Sequence, residues 1–372
     1  MEKEHTMRTA LHVCTLLMLV SVLSGQEKPA ERAPDQAYRA GQYDAITDVP
    51  GVLVGHYRHP KVHRGITVVI AGPTGGTCAV DVRGSNPGTW GTSTYEPINI
   101  GEECDAIVLT GGSLWGYGAI GGIMEALFEQ GKGVRTRGGI LPVVPGAVIF
   151  DLPVADPTVR PNHEWGRAVV RNAKGGPVEQ GNAGVGAGAT TGKLPEGVRL
   201  KGGVGTASAL LPDGTVVGVM VVLNSVGDLV NPKTGELYAV SGFGDVEYRH
   251  RHAVVRTQSQ GENTTNAIVA TNARLTKTQL AKIAEMAHDG LARAIRPIHA
   301  MQDGDTTFAV SVGWDDRPEP RVAFPAEAVD RYGNVGADLL VRAIVKAMKA
   351  SESIPDFPSY SDWSKARASK AP

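Results

Sequence analysis

Apolar and polar positions alternate in short blocks along the first two thirds of the chain. Apolar runs at residues 51–54, 66–70, 78–82 and 106–109 are each bounded by Gly, Pro or Asp, as β-strands are. Residues 117–130 repeat at helical spacing instead, with Ile120, Ile123, Met124 and Leu127 on one face. The apolar stretch 140–152 is interrupted by Pro142 and Pro145, with Pro153 just beyond. Proline cannot donate to a ladder, so loop and edge structure is expected there, not a central strand. The unbroken run Val216–Leu223 predicts a buried strand. Residues 228–261, rich in Gly, Asn and charge and including Arg249-His250-Arg251-His252, predict a solvated loop.

Beyond that loop the pattern changes. A strand is expected at 267–270. Thr276 and Gln279 form a capping box, each able to satisfy a free N–H at a helix start. The helix they open carries Leu280, Ile283, Ala287, Leu291 and Ala294 on one face. A strand at 306–312 and a helix over Pro325–Ala350, expected to break near Gly333, complete the pattern. Strands early and alternating strands and helices late predict a layered α/β fold with mixed sheets.

The first 25 residues stand apart. An apolar run over 10–25 follows Arg8, and it is shorter than the ~20 residues that span a bilayer. It reads as a secretory signal peptide, 1–25, cut near Ser24 or Gly25, with Met1 or Met7 as the start and an uncleaved anchor as the alternative. Gln26, not Cys, follows the cut, so no lipid anchor is expected. The mature protein would then be periplasmic or secreted, with no membrane attachment. Residues 26–42 are polar and loosely held, 43–350 form one folded domain, and 351–372 form a polar tail. Cys14 leaves with the signal peptide, and Cys78 and Cys104 either pair or remain buried thiols.

Composition narrows the function classes. Hydrophobic residues at 42% and charged residues at 20% describe an ordinary soluble globular protein. The 37 Lys+Arg balance 38 Asp+Glu, which argues against a nucleic-acid partner. Glycine, with 47 residues, is enriched without any Gly-x-y period and signals many tight turns. No CxxC or HExxH spacing is present, so no metal site is indicated. The glycine run 181–193 is no phosphate loop, because Ala187 stands at its first required glycine and Leu194 follows Lys193. The loose dinucleotide fingerprint at 184–189 lacks a strong preceding strand. No cofactor is expected.

The segment 261–273, Gly-Glu-Asn-Thr-Thr-Asn-Ala-Ile-Val-Ala-Thr-Asn-Ala, runs from the polar loop into a strand. By itself Asn263-Thr264-Thr265 is a polar turn or a glycosylation sequon. Other stretches accompany it in a set order: Ile-Thr-Asp-Val-Pro-Gly-Val-Leu-Val-Gly-His at 46–56, Val-Asp-Val-Arg-Gly at 80–84, and Ile-Val-Leu-Thr-Gly-Gly-Ser at 107–113. Pro-Gly-Ala-Val-Ile-Phe-Asp-Leu at 145–152, the glycine-rich 184–193, and Lys-Gly-Gly-Val-Gly-Thr-Ala-Ser at 201–208 come after them. Together they resemble the DmpA-type L-aminopeptidase/D-esterase family, which includes β-peptidyl aminopeptidases and the nylon-oligomer hydrolase. The resemblance spans about residues 46–350.

That resemblance implies an αββα sandwich and a hydrolase of peptide or amide bonds that matures by cutting itself once, before a Ser or Thr. The matching bond is Asn263–Thr264, as in the Thr-using nylon-oligomer branch, with Thr265 as the adjacent alternative. The cut would give fragments 26–263 and 264–372, which stay associated and form homo-oligomers, such as a tetramer of heterodimers. Thr264 would act through its hydroxyl, with its new α-amine as base. Asp303 and Asp305 match the family's downstream pair. If the chain there is extended, their side chains face the same way; the alternative is a polar turn. Asn224 matches the oxyanion-hole Asn, the alternative being a turn residue that ends the strand. Either Lys193 or Lys201 would sit beside the nucleophile, and the spacing from Asn224 favours Lys193. Ser113, Trp115 and Tyr117 line a substrate pocket or form a helix-entry turn. The substrate would be a small peptide or amide. An acyltransferase of the ornithine-acetyltransferase type and an inactive binding homologue are the competing readings.

Overall fold

The computed structural model describes residues 38–194, 198–231, 234–236, 238, 263–312 and 325–369. The expected signal peptide, 1–25, residues 26–37 and the Arg249–His252 cluster lie outside the described residues. The chain divides into two units, 1–38 and 39–372, and every strand and helix named below belongs to the second.

Two sheets form the centre of this unit. The first contains β1 (Leu53–Arg58), β2 (Gly65–Ile70), β4 (Thr89–Trp90), β6 (Ala106–Thr110) and β7 (Gly146–Val148), in the order β1-β2-β6-β7-β4. The second contains β3 (Gly76–Val82), β5 (Glu103–Cys104), β8 (Gly203–Leu210), β9 (Val216–Leu223), β10 (Asn266–Thr271) and β11 (Thr306–Ser311), in the order β8-β9-β10-β11-β3-β5. Within the second sheet only β10 and β11 run parallel, with Asn266 opposite Thr306.

The sheets face each other across one core. Val54, Val69, Ile107, Leu109 and Ile149 from the first side meet Met220, Val222, Ile268, Phe308 and Val310 from the second. The outer face of the first sheet, with Ile66, Val68 and Val108, is covered by helices α1 (Ile120–Glu129) and α2 (His163–Arg171) through Ile123, Leu127, Trp165 and Val169. Helices α3 (Lys277–Ala294) and α4 (Pro325–Ala350) pack on the second sheet. The order of layers is therefore helix, sheet, sheet, helix, the expected αββα sandwich.

Two sequence expectations need correction. Residues 146–148 lie one strand in from the sheet edge, with β6 parallel on one side and β4 antiparallel on the other. Pro142 and Pro145 precede the strand and Pro153 follows it, and Pro145 contributes only its carbonyl, which accepts from Val108 N–H at 3.0 Å. Helix α4 does not break at Gly333. A Cβ there would come within 2.5 Å of Met286 Sδ on α3, so the glycine serves close helix packing rather than a kink.

The helix expected over 117–130 begins later, after a 3-10 turn over Ser113–Ala119. Cys78 and Cys104 are free, buried thiols, and burial pushes Cys104 well above its ordinary range. The polar tail ends in helix α5 (Tyr360–Ala368), and before it the Ser351 hydroxyl lies within hydrogen-bond distance of two carbonyls, Gly202 O at 2.6 Å and Ala347 O at 2.7 Å, with one proton to share between them.

Candidate active site

The parallel pair β10 and β11 places two loops side by side. Just before these strands, Asn263 and Asp303 pair as an isolated parallel bridge. Residues 263–265 thereby run along residues 303–305. β9, antiparallel to β10, ends at Leu223, which brings Asn224 alongside. The Thr264 N–H donates to the Asn224 carbonyl at 3.1 Å. Topology thus joins residues that are far apart in sequence, Asn224 with 263–265 and 303–305.

The Thr264 hydroxyl donates to the carbonyl oxygen of Asn263, the residue before it. The same oxygen accepts the Gly304 N–H at 3.1 Å. Gly304 has no room for a side chain: a Cβ would lie 2.8 Å from Asn86 O and 3.0 Å from Thr264 Oγ1. The Thr265 N–H donates to Asp305 Oδ1 at 2.7 Å. Asn263, Thr264, Thr265, Asp303 and Asp305 are all buried.

The two carboxylates differ in their surroundings. Asp305 is met by three N–H groups: that of Thr265 and, on Oδ2, the backbone N–H of His299 at 3.0 Å and its ring Nδ1 at 2.9 Å. Asp303 Oδ2 accepts from Ala300 N–H at 2.8 Å, while its Oδ1 is buried with no hydrogen-bond partner among the described residues. Burial, and then the neighbouring Asp305, push Asp303 up to about 7. One carboxyl at this site therefore exchanges its proton near neutral pH.

The two lysines part company. Lys193 Nζ donates to Asn224 twice, to its backbone carbonyl at 3.1 Å and its side-chain oxygen at 3.0 Å. Lys201 points elsewhere. Its buried Nζ donates to the carbonyls of Gly186, Ala189 and Gly202 at 2.6–2.9 Å, and burial pushes it down to about 7. Lys193 stands at the Thr264 junction, and Lys201 is a strut under the glycine-rich turn Gly184–Gly188. Asn224 Oδ1 also accepts Thr190 N–H at 3.0 Å, and its Nδ2 faces Phe150 O at 3.4 Å.

Two segments link the turn of Ser113, Trp115 and Tyr117 to the junction: Tyr117 reaches it through 86–88, and Ser113 through Ile149, whose neighbour Phe150 accepts through its carbonyl from Asn224 Nδ2. Ser113 has a positive φ of 52° and donates its N–H to Ile149 O at 3.0 Å, which turns the chain into the 3-10 turn. Tyr117 donates its hydroxyl to Thr89 O at 2.8 Å. The Cβ position of Gly88 lies 2.4 Å from Val148 Cγ2, 3.4 Å from Leu114 Cδ2 and 3.8 Å from the Tyr117 hydroxyl. Trp115 faces outward, half exposed, with the Arg160 guanidinium 3.6 Å from its ring centroid. Leu114 and Trp90 add exposed apolar surface on the same segments.

The sequence model of peptidase family S58 matches residues 44–359. The chain belongs to peptidase family S58. An uncharacterized aminopeptidase of Mycobacterium leprae is 39% identical over 86% of this chain and 94% of its own length. A 6-aminohexanoate-oligomer endohydrolase of a Kocuria strain is 31% identical over 81% of this chain and 85% of its own. Among solved structures, a β-aminopeptidase of Burkholderia covers 90% of this chain and 96% of its own at TM-score 0.65 and 21% identity. The L-aminopeptidase D-Ala-esterase/amidase of Ochrobactrum anthropi, described as a variant of the Ntn-hydrolase fold, covers 89% and 94% at TM-score 0.66 and 23% identity. These structures share the fold. This S58 member is a hydrolase of peptide or amide bonds.

Two contributors escape a reading of the sequence. The Gly304 N–H is invisible as a backbone group, although a glycine between two aspartates hints at a crowded backbone. His299 lies in an unremarkable Pro-Ile-His-Ala stretch, and only its spacing of six from Asp305 could have drawn notice. Among the described residues no cluster of His, Cys, Asp and Glu could hold a metal ion. No described helix is long and apolar enough to cross a membrane.

Proposed function

We propose that this S58 hydrolase cuts its own Asn263–Thr264 bond and then uses Thr264 as an N-terminal nucleophile. The observation that carries the reading is the Thr264 hydroxyl resting on the Asn263 carbonyl, whose oxygen also takes the Gly304 N–H. In the first step Oγ1 attacks the Asn263 carbonyl carbon, and Gly304 N–H stabilises the oxyanion. The C–N bond breaks, the hydroxyl proton passes to the departing Thr264 nitrogen, and an ester remains. Water hydrolyses that ester to an Asn263 carboxylate, the free hydroxyl and a free α-amine.

The new amine then acts as base. It occupies the place of the present Thr264 N–H, against the Asn224 carbonyl that Lys193 also holds. A nearby ammonium disfavours a second positive charge, so the amine stays uncharged and able to take the Thr264 hydroxyl proton. Attack on a substrate carbonyl gives a tetrahedral oxyanion. Asn224 Nδ2 and the Gly304 N–H, released by the cut, are its donors. Collapse expels the amine product with the proton from the α-ammonium, and water clears the acyl-enzyme. Asp305 fixes the backbone at Thr265, and Asp303 is the carboxyl that can gain or lose a proton near neutrality.

The apolar surface of Leu114, Trp90 and Trp115 beside segment 86–88 suits short peptides, amino-acid amides or esters, or related oligomers, with the N-terminal residue released. Secretion or periplasmic location, and assembly of the fragment pairs into homo-oligomers, complete the proposal. A panel of α-, β- and 6-aminoacyl p-nitroanilides tests it. At least one should be hydrolysed with a trapped acyl mass on the fragment that begins at Thr264, and none by Thr264→Ala. Hydrolysis undiminished in Thr264→Ala would contradict the reading.

A further inference from the structure

His299 is built into the site in an unusual way. It lies beyond helix α3 and the short pairing of Ile295–Arg296 with Asp228–Leu229. Its φ is +59°, in the left-handed region that residues with side chains seldom occupy. That conformation aims two donors of one residue, the backbone N–H and ring Nδ1, at a single oxygen, Asp305 Oδ2. The other Asp305 oxygen takes the Thr265 N–H. A continuous chain of hydrogen bonds thus runs from the imidazole through a fully buried carboxylate to the peptide next to Thr264.

The charged and titratable surroundings are few. His288 from α3 stands edge-on to the His299 ring at 4.8 Å. Burial pushes His288 down to about 4, so it is neutral at pH 7. Its Nε2 lies 3.1 Å from the Asp81 carbonyl and 3.6 Å from the Asp81 carboxylate on β3. Arg83, on the chain just after β3, gives its backbone N–H to the Asp305 carbonyl. Asp303 lies on the same loop. A carboxylate acceptor requires the His299 proton on Nδ1.

We infer that His299 is a positioning residue: its ring orients the Asp305 carboxylate, which holds Thr265 and so places the Thr264 hydroxyl and amine. The inference rests on Thr264 being the nucleophile. Through the fixed backbone of 264–265 the ring acts on the rate of the reaction and leaves substrate affinity alone. It touches no reacting atom.

Three variants that all tolerate a positive φ test this. His299→Gly keeps the backbone N–H and removes the ring. His299→Asn replaces the ring N–H by a side-chain amide donor. His299→Asp keeps a similar small shape but offers a carboxylate to a carboxylate. Chain cutting, kcat, KM and Tm are measured for each. The Gly and Asp variants should cut slowly and lose about 10- to 100-fold in kcat, the range that misplacing a reacting group costs, with KM held. His299→Asn should recover most of that loss. Wild-type kcat in both Gly and Asp variants, or an Asn variant as slow as they are, overturns the inference. If His299→Gly fails to fold, the Asn against Asp comparison decides alone. Where the wild-type small fragment begins tests the nucleophile separately, so that reading can stand when this one falls.

Discussion

Lys193 Nζ and the Thr264 N–H meet on one atom, the Asn224 carbonyl oxygen, each at 3.1 Å. After the cut that relationship becomes one between an ammonium and an amine. Removing the ammonium should let the amine hold its proton to higher pH. Lys193→Met is expected to lower kcat at pH 7 by about 10- to 100-fold. The acid limb of its pH profile should move upward, with partial recovery in alkaline buffer. A uniform loss at every pH would argue that Lys193 only props Asn224.

Lys201 should behave in the opposite way. Its ammonium gives all three N–H groups to carbonyls in a buried setting. Lys201→Met strands three acceptors, and each buried orphan costs about 1–3 kcal/mol. Thermal unfolding should show a marked drop in Tm, with little change in the pH profile of whatever protein remains folded.

Asp303 makes stability depend on pH in a direction unusual for a carboxylate. Its folded value, about 7, lies above the 3.8 of an ordinary Asp carboxyl. The folded protein therefore holds a proton that the unfolded chain has released. The contribution is fully present below the unfolded value and is lost as pH rises through 7. Asp303→Asn should flatten that decline between pH 4 and 7 in denaturant titrations. An unchanged slope would show that Asp303 is not the proton holder.

Gly304→Ala tests the crowding at the junction. A Cβ would press on Asn86 O and Thr264 Oγ1, displacing the hydroxyl and the N–H that share the Asn263 carbonyl. Cutting should slow by about 10²-fold or more, as expected when an oxyanion donor is lost. The variant is assayed by the appearance of two fragments on a denaturing gel over hours.

Much of the fold could be read from local pattern. β9 spans the apolar run Val216–Leu223, and the Thr276–Gln279 capping box forms as its side chains imply. Features whose cause sits on another element could not be read. Gly333 resembles a helix breaker until Met286 on α3 is seen against it. Pro145 argues against a strand until its carbonyl is found at the ladder's entrance. In the site, Lys193 and Lys201 look alike in glycine-rich sequence, and only the partners of their Nζ atoms, Asn224 for one and the carbonyls of Gly186, Ala189 and Gly202 for the other, separate them. Thr264, Asn224 and Asp305 could be named from ordered motifs. The His299 ring and the Gly304 N–H depend on how the loop 297–305 is folded, which composition does not encode.

The central claim is the bond that is cut. Purified wild-type protein and Thr264→Ala are compared by intact mass and N-terminal sequencing after the same incubation. The account predicts two wild-type fragments, the smaller comprising the 109 residues of 264–372 and beginning Thr-Thr-Asn-Ala, and a single uncut chain for Thr264→Ala. A small fragment beginning at another residue, or a Thr264→Ala chain that cuts as the wild type does, would contradict it.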